Sequence, residues 1–334
     1  MKHVIYKVLC GLLVLVLSLA ALPVSADLIP EPGSPSVWDV DTMLSERQLT
    51  RRQEGLELQG NIPVVTATFG HARENINQHI EGEIVGAIIN EARRIRARSV
   101  TFSHEVFYTD EVVSLVLYAE MSTTIVRTFV RSINFSTSSG ALVAVDEAAG
   151  LQVSHLAERV LAEMIRQNPE HYSAAVSTTL REQDFYLTND AIVFLFDEFR
   201  LSSRDEGVAR LTLQMSNLRT HVLTPDEYHV REEGYSLKRI PMRNVVNALG
   251  FSVRNFNSDE MSLEIWMGDL LVVSLVRDDS TFILMGVERQ LEEGPLTIDG
   301  RWHVPITFFD SILPFTTYSV DSSGNITFVS YITD

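Results

Sequence analysis

The sequence predicts an α+β fold in two modules, each a mostly antiparallel sheet with packed helices, the second module pseudo-duplicated. Three observations predict it. A long apolar stripe at helical spacing, from Ile76 to Ile95, is followed by three consecutive strand-like runs. Residues 240–249 and 304–313 carry one pattern twice, 64 positions apart. A chain of 334 residues with 45% hydrophobic content has the length and the core material for two domains of ordinary size.

The elements follow in chain order. Residues 1–26 start with Lys2 and Lys7, continue as an apolar run from Val8 to Leu22, and end in Val24-Ser25-Ala26, the order of a cleavable secretory signal. An uncleaved anchor is the competing reading of the same run. Residues 27–57, with Pro30, Pro32 and Pro35 and then polar residues without a period, read as a flexible tether. A β-branched run, Pro63 to Phe69, precedes a helix opening near His71 and carrying Ile76, Ile80, Ile84, Ile88, Ala92 and Ile95, widened by Val85 and Ile89. Arg93, Arg94, Arg96 and Arg98 close it. They suit the negative end of the helix dipole, so a solvated cap is preferred to an anion site.

Strands are expected at Ser99–Tyr108, Val112–Glu120 and Thr124–Ser136, the second apolar on both faces and therefore an inner strand under a helix. Ser154 is the expected cap of a helix ending before Pro169, a short polar helix follows near Ala174–Arg181, and three short strands lie at Phe185–Leu187, Ala191–Phe196 and Arg210–Met215. The first module therefore spans residues 58–222 and a charged linker 223–234. The second, residues 235–334, holds the repeat: Ile240-Pro241-Met242 matches Val304-Pro305-Ile306, each with Pro at the start of a short helix followed by a strand, a turn and a strand.

Charge and cysteine content exclude several functions. The formal net charge is −17, and loss of residues 1–26 removes two Lys and no acid, giving −19. Such a surface repels nucleic acid and attracts cations or basic proteins. Cys10 is the sole cysteine and lies within the apolar leader, so the exported chain has no disulfide, thiolate nucleophile or thiolate metal site. Lys238 is its only lysine; every other basic side chain apart from histidine is Arg.

Residues 58–222 resemble the extracellular domain shared by lysozyme-responsive anti-sigma factors of Gram-positive bacteria and the N-terminal part of some peptidoglycan deacetylases. The resemblance is carried by Ile76-Asn77, Phe107-Tyr108 before Ser114 to Tyr118, Ser132-Ile133-Asn134-Phe135, Ser138 to Leu142, and above all Phe185 to Phe194. Where that family has a Gly-Gly-Ala-His type loop, this chain reads Glu120-Met121-Ser122-Thr123-Thr124-Ile125, which lacks the glycines for positive φ, so the family's ligand does not carry across. Residues 235–334 resemble the small repeat module named after the N-terminal domain of copper amine oxidases, on Ile240-Pro241-Met242-Arg243, Ala248-Leu249-Gly250 and Ile298-Asp299-Gly300-Arg301 before Val304-Pro305. That resemblance implies a stalk and no copper chemistry.

No residue is assigned a catalytic, cofactor-binding or metal role, and the ligand-binding residues are left unidentified. His71 and His79 are eight apart and do not share a helix face; His104, His221 and His229 read as structural or surface histidines. There is no Gly-x-Ser-x-Gly elbow, phosphate loop or His-Glu-x-x-His. The adjacent acids Asp197-Glu198 and Glu292-Glu293 would face apart in a strand. Trp266 and Trp302 are expected in the core ahead of a saccharide platform. The expectation is thus a secreted or surface-associated envelope protein, not an enzyme and without cofactors, that binds or senses a partner. The resemblance implies a lysozyme-like or other basic protein as that partner. The alternatives are a structural module holding wall polymer such as peptidoglycan, and an accessory to a peptidoglycan deacetylase.

Overall fold

The computed structural model describes residues 43–66, 71–149, 152–167, 172, 180–201, 207–230, 238–257, 261–291, 293–313 and 315–332. The leader, the first part of the tether and most of the expected helix 174–181 lie outside these residues. The fold is α+β, built from mostly antiparallel sheets with a few packed helices.

The first strands are β1 (Leu44–Gln53) and β2 (Leu56–Val65), an antiparallel hairpin closed at Glu54 and Gly55 with φ of 50° and 88°. Two central residues at positive φ give the turn whose twist matches that of paired strands. Residues 44–57, expected within the flexible tether, are therefore folded. Alternation was absent there because β1 is an edge strand wet on both sides. Only Leu44, Leu49 and Gln53 are half-buried and the rest, including Arg47, Arg51 and Arg52, is exposed.

Helix α1 runs through His71–Gln78, a π-helical stretch His79–Val85, and Gly86–Arg94. Its isoleucines recur every four residues, a row that drifts about 40° per step on an α-helix. The wider π turn pulls the row back, so Ile76, Ile80, Ile84, Ile88 and Ala92 all bury against one sheet. The helix is the crossover that lets β2 pair in parallel with β3 (Ser99–Tyr108), with Gly60 opposite Phe102. Then β4 (Val112–Ser122) and β5 (Val126–Ser136) complete a sheet of order β1-β2-β3-β4-β5. As expected, β4 is buried on both faces. Val113, Leu115, Leu117 and Ala119 meet α1, and Val116 meets the next layer.

That layer is three-stranded: β6 (Phe185–Leu187), β7 (Ala191–Phe196) and β8 (Ala209–Gln214). It comes after two helices, α2 (Val145–Ala148) and α3 (Val153–Gln167). Tyr186, Val193 and Leu195 face the first sheet, whereas Phe185, Ile192, Phe194 and Phe196 face Leu156 and Leu161 of α3. Ser154, the expected cap, lies inside α3. Its N–H and hydroxyl donate to the Asp146 carboxylate of α2 at 2.8 and 2.7 Å, so a neighbouring helix supplies the acceptor.

Next come β9 (Leu218–Leu223), β10 (His229–Val230), β11 (Lys238–Pro241), α4 (Met242–Ala248), β12 (Ser252–Asn257), β13 (Ser262–Met267) and β14 (Leu270–Val276). The chain continues with β15 (Thr281–Leu284), β16 (Val287–Gln290), β17 (Leu296–Ile298), β18 (Arg301–Pro305), α5 (Thr307–Ser311), β19 (Thr316–Val320) and β20 (Ile326–Tyr331). The two copies of the repeat meet where β11 pairs with β18, Ile240 facing its counterpart Val304 across a pseudo-twofold. Pro241 ends β11 and is also the N-cap of α4, at the expected helix start, and Pro305 ends β18 immediately before the N-cap of α5. In the first copy β12, β13 and β14 form successive antiparallel pairs; in the second, β19 and β20 are followed by β9. Residues 218–222, expected in the first module, thus complete a sheet of the second. A local pattern reveals a strand but not its sheet.

The two halves also share core. Val329 and Tyr331 of β20 pack with the α3 residues, and Arg159 of α3 donates to the carbonyl of Leu313 at 2.9 Å. Among the described residues no helix is long and apolar enough to cross a membrane.

Candidate functional site

A groove of about 870 Å³ lies between the β1–β2 hairpin and the first turns of α1. Ile62, Val65 and Val85 line it as an apolar floor, and Arg47, Arg51 and Glu81 stand along it. Asn77 fixes its geometry. Its side-chain amide donates to the Val65 carbonyl at 2.8 Å and its oxygen accepts the Val65 N–H at 2.9 Å, pairing with the end of β2 as another strand would. Arg47 of β1 pairs with Glu81 of α1 across the groove. An open trough with apolar floor and hydrogen-bonding rim beside an unpaired strand edge can hold an extended polypeptide segment.

A second polar constellation joins the two sheets. The free edge of β5 presents the N–H groups of Thr128, Val130 and Ser132, which donate to Glu198 at 2.6 Å, Asp197 at 2.8 Å and Asp184 at 2.5 Å. Arg131 enters this row, 3.1 Å from one Asp197 oxygen and 3.5 Å from Asp184, its guanidinium 4.4 Å from the Phe129 ring centre. Asp197 and Glu198 were expected to face apart. They follow β7 in a turn, so both reach the same strand. Burial pushes the Asp184 carboxyl up to about 6 against the opposing pull of Arg131, and burial likewise raises Asp197.

A carboxyl raised in the folded state stabilises fully below its unfolded pKa, and that contribution is lost as pH rises through the folded value. The joint is therefore tighter at pH 4 than at pH 7.5. Asp184→Asn, which keeps an acceptor for Ser132, is expected to flatten the pH dependence of the urea midpoint between those values by on the order of 2 kcal/mol. Parallel slopes for parent and variant would contradict this.

Near the same interface, the Tyr118 hydroxyl donates to Glu105 at 2.7 Å and accepts from Arg210 at 3.0 Å, while Phe107 stacks on Tyr186 at 3.8 Å. Burial raises the Tyr118 phenol well above its ordinary value.

The histidines are separated. His71 begins α1, His79 contacts Glu83 at 2.9 Å, His104 lies 3.7 Å from Glu46, and His229 meets His303 edge-on at 5.1 Å. Burial first lowers the His303 pKa. His221 lies in β9. Among the described residues no three His, Cys, Asp or Glu form a group that could hold a metal. Glu292 lies outside the described residues, and Glu293 pairs with buried Arg239. Trp302 packs on the second core, and Trp266 lies beneath Arg254 at 5.3 Å.

Neither the groove nor the carboxylate row was found from sequence, since each needs residues that only the fold brings together. The arginines at the end of α1 were noted from sequence, but as a solvated cap in preference to an anion site, and Arg93 is not among those lining the pocket. Arg94, Arg96 and Arg98 border a second, smaller pocket that also takes in Arg127.

No family model and no curated protein matches this chain. Among solved structures it is similar to a member of the DUF3298 family from Bacteroides fragilis, at 10% identity, covering 52% of this chain and 90% of that one, with a TM-score of 0.35. It is also similar to a DUF3298 family protein from Pseudomonas aeruginosa, at 14% identity, covering 52% and 88%, with a TM-score of 0.35.

Proposed function

We propose that this chain is a secreted or surface-associated envelope protein that binds a protein partner without catalysing a reaction, with the groove between β1–β2 and α1 as the contact site. The groove carries the reading. It combines an apolar floor with a polar rim, and it runs beside the outer edge of β1. A net charge of −17 favours a basic partner by long-range attraction. The sequence resemblance to the lysozyme-responsive domain suggests a lysozyme-like hydrolase as that partner, and the resemblance of residues 235–334 suggests a stalk that presents the site.

Immobilised protein is expected to retain lysozyme, less so at high salt, and Leu49→Asp in the groove wall is expected to lower affinity roughly tenfold. Retention of purified peptidoglycan but not lysozyme would favour a wall-polymer module. Retention of neither, or release of product from peptidoglycan by the protein itself, would overturn the proposal.

A further inference from the structure

At the far end of α1 from the groove, a pocket of about 480 Å³ is lined by Arg94, Arg96, Arg98 and Arg127, with Thr123 and Thr124 of the β4–β5 hairpin. Among the described residues no acidic side chain lines it. Arg94 is committed to Glu91 through its Nε at 2.6 Å. Arg96, Arg98 and Arg127 have no carboxylate partner among the described residues; Arg127 lies 5.5 Å from the Phe199 ring centre. In a chain of net charge −17 this is a local reversal of sign.

Two observations separate this pocket from a helix cap. Arg127 comes from β5, where no helix dipole places a cation. Arg96 occupies the left-handed position that ends α1, with φ 58°, its N–H donating to the Arg93 carbonyl at 3.0 Å and the N–H of Ala97 to that of Ala92 at 2.8 Å. This is the terminus geometry that favours glycine, and an arginine there is strained.

We infer that the pocket binds a phosphate group. Three arginines without a carboxylate partner, lining one concavity, match a tetrahedral anion with several acceptor oxygens better than they match a single carboxylate. Ile125 and Val126 at the adjoining hairpin tip are 49% and 54% exposed, so the phosphate has two possible sources, a soluble phosphate or a lipid headgroup beside which these side chains would insert.

The test uses the full exported chain, titrated calorimetrically with inorganic pyrophosphate and sedimented with phosphatidylcholine vesicles with and without phosphatidylglycerol. Saturable pyrophosphate binding alone supports a soluble phosphate. Sedimentation that requires phosphatidylglycerol and is competed by pyrophosphate supports the headgroup. Arg98→Ala with Arg127→Ala is expected to weaken either by roughly tenfold or more. Arg96→Gly is expected to raise the melting temperature by about 2 °C while weakening binding roughly threefold, whereas a purely capping arginine would change stability alone. No binding of either probe, or binding unchanged in the double variant, overturns the inference. Leu49→Asp in the groove should leave it intact, which keeps its fate separate from that of the proposed protein partner.

Discussion

Gly60→Ala is expected to destabilise the first module severely. Gly60 has φ 124°, a region that side chains strain to adopt, and it sits where β2 pairs in parallel with β3. A Cβ there would lie 2.1 Å from the Phe102 carbonyl oxygen and 2.7 Å from its nitrogen. Both are backbone atoms of a paired strand and cannot rotate aside. The strands would have to part, opening the core around Leu58, Val100 and Phe102. A loss above about 4 kcal/mol follows, a large share of the stability of an ordinary domain. Urea denaturation followed by circular dichroism checks it; a variant whose midpoint stays within about 0.5 M of the parent would refute the account.

Asp197→Ala is expected to cost about 3 kcal/mol. The substitution leaves the Val130 N–H without its acceptor and deprives Arg131 of its nearer carboxylate, the remaining one being Asp184 at 3.5 Å. Removing the buried member of this hydrogen-bonded ion pair destabilises strongly because the half-buried Arg131 and the buried Val130 N–H lose their partner. The raised pKa of Asp197 does not contradict this. It says the charge is costly to bury, while the loss arises from the groups left behind. Calorimetry should show a melting temperature lower by roughly 6–12 °C, with Asp197→Asn intermediate; a drop under about 2 °C would exclude a structural role for the row.

Much of this architecture could be read from residue pattern, for reasons visible in particular elements. The isoleucine row announced α1 because burial against one sheet demands a single apolar face, and β4 announced itself as an inner strand because neither of its faces meets water. The repeat was legible because each copy follows Pro241 or Pro305 with a short helix and then two antiparallel strands. By contrast β1 has almost no buried side chain and so no period, and without it the groove could not be foreseen. The carboxylate row was equally hidden, since Asp184, Asp197 and Glu198 meet residues more than fifty positions away. The arginine run was seen, but only the fold adds Arg127 from a separate hairpin.

The pairing of β9 with β20 has a practical consequence for anyone dissecting this molecule. A fragment begun at residue 235 would keep both copies of the repeat yet lose the six-residue ribbon that seals one flank of the second. Its bare seam would offer Ile326–Tyr331 to any passing strand, inviting exchange between copies or precipitation. A cut made before Leu218 would carry the seal along.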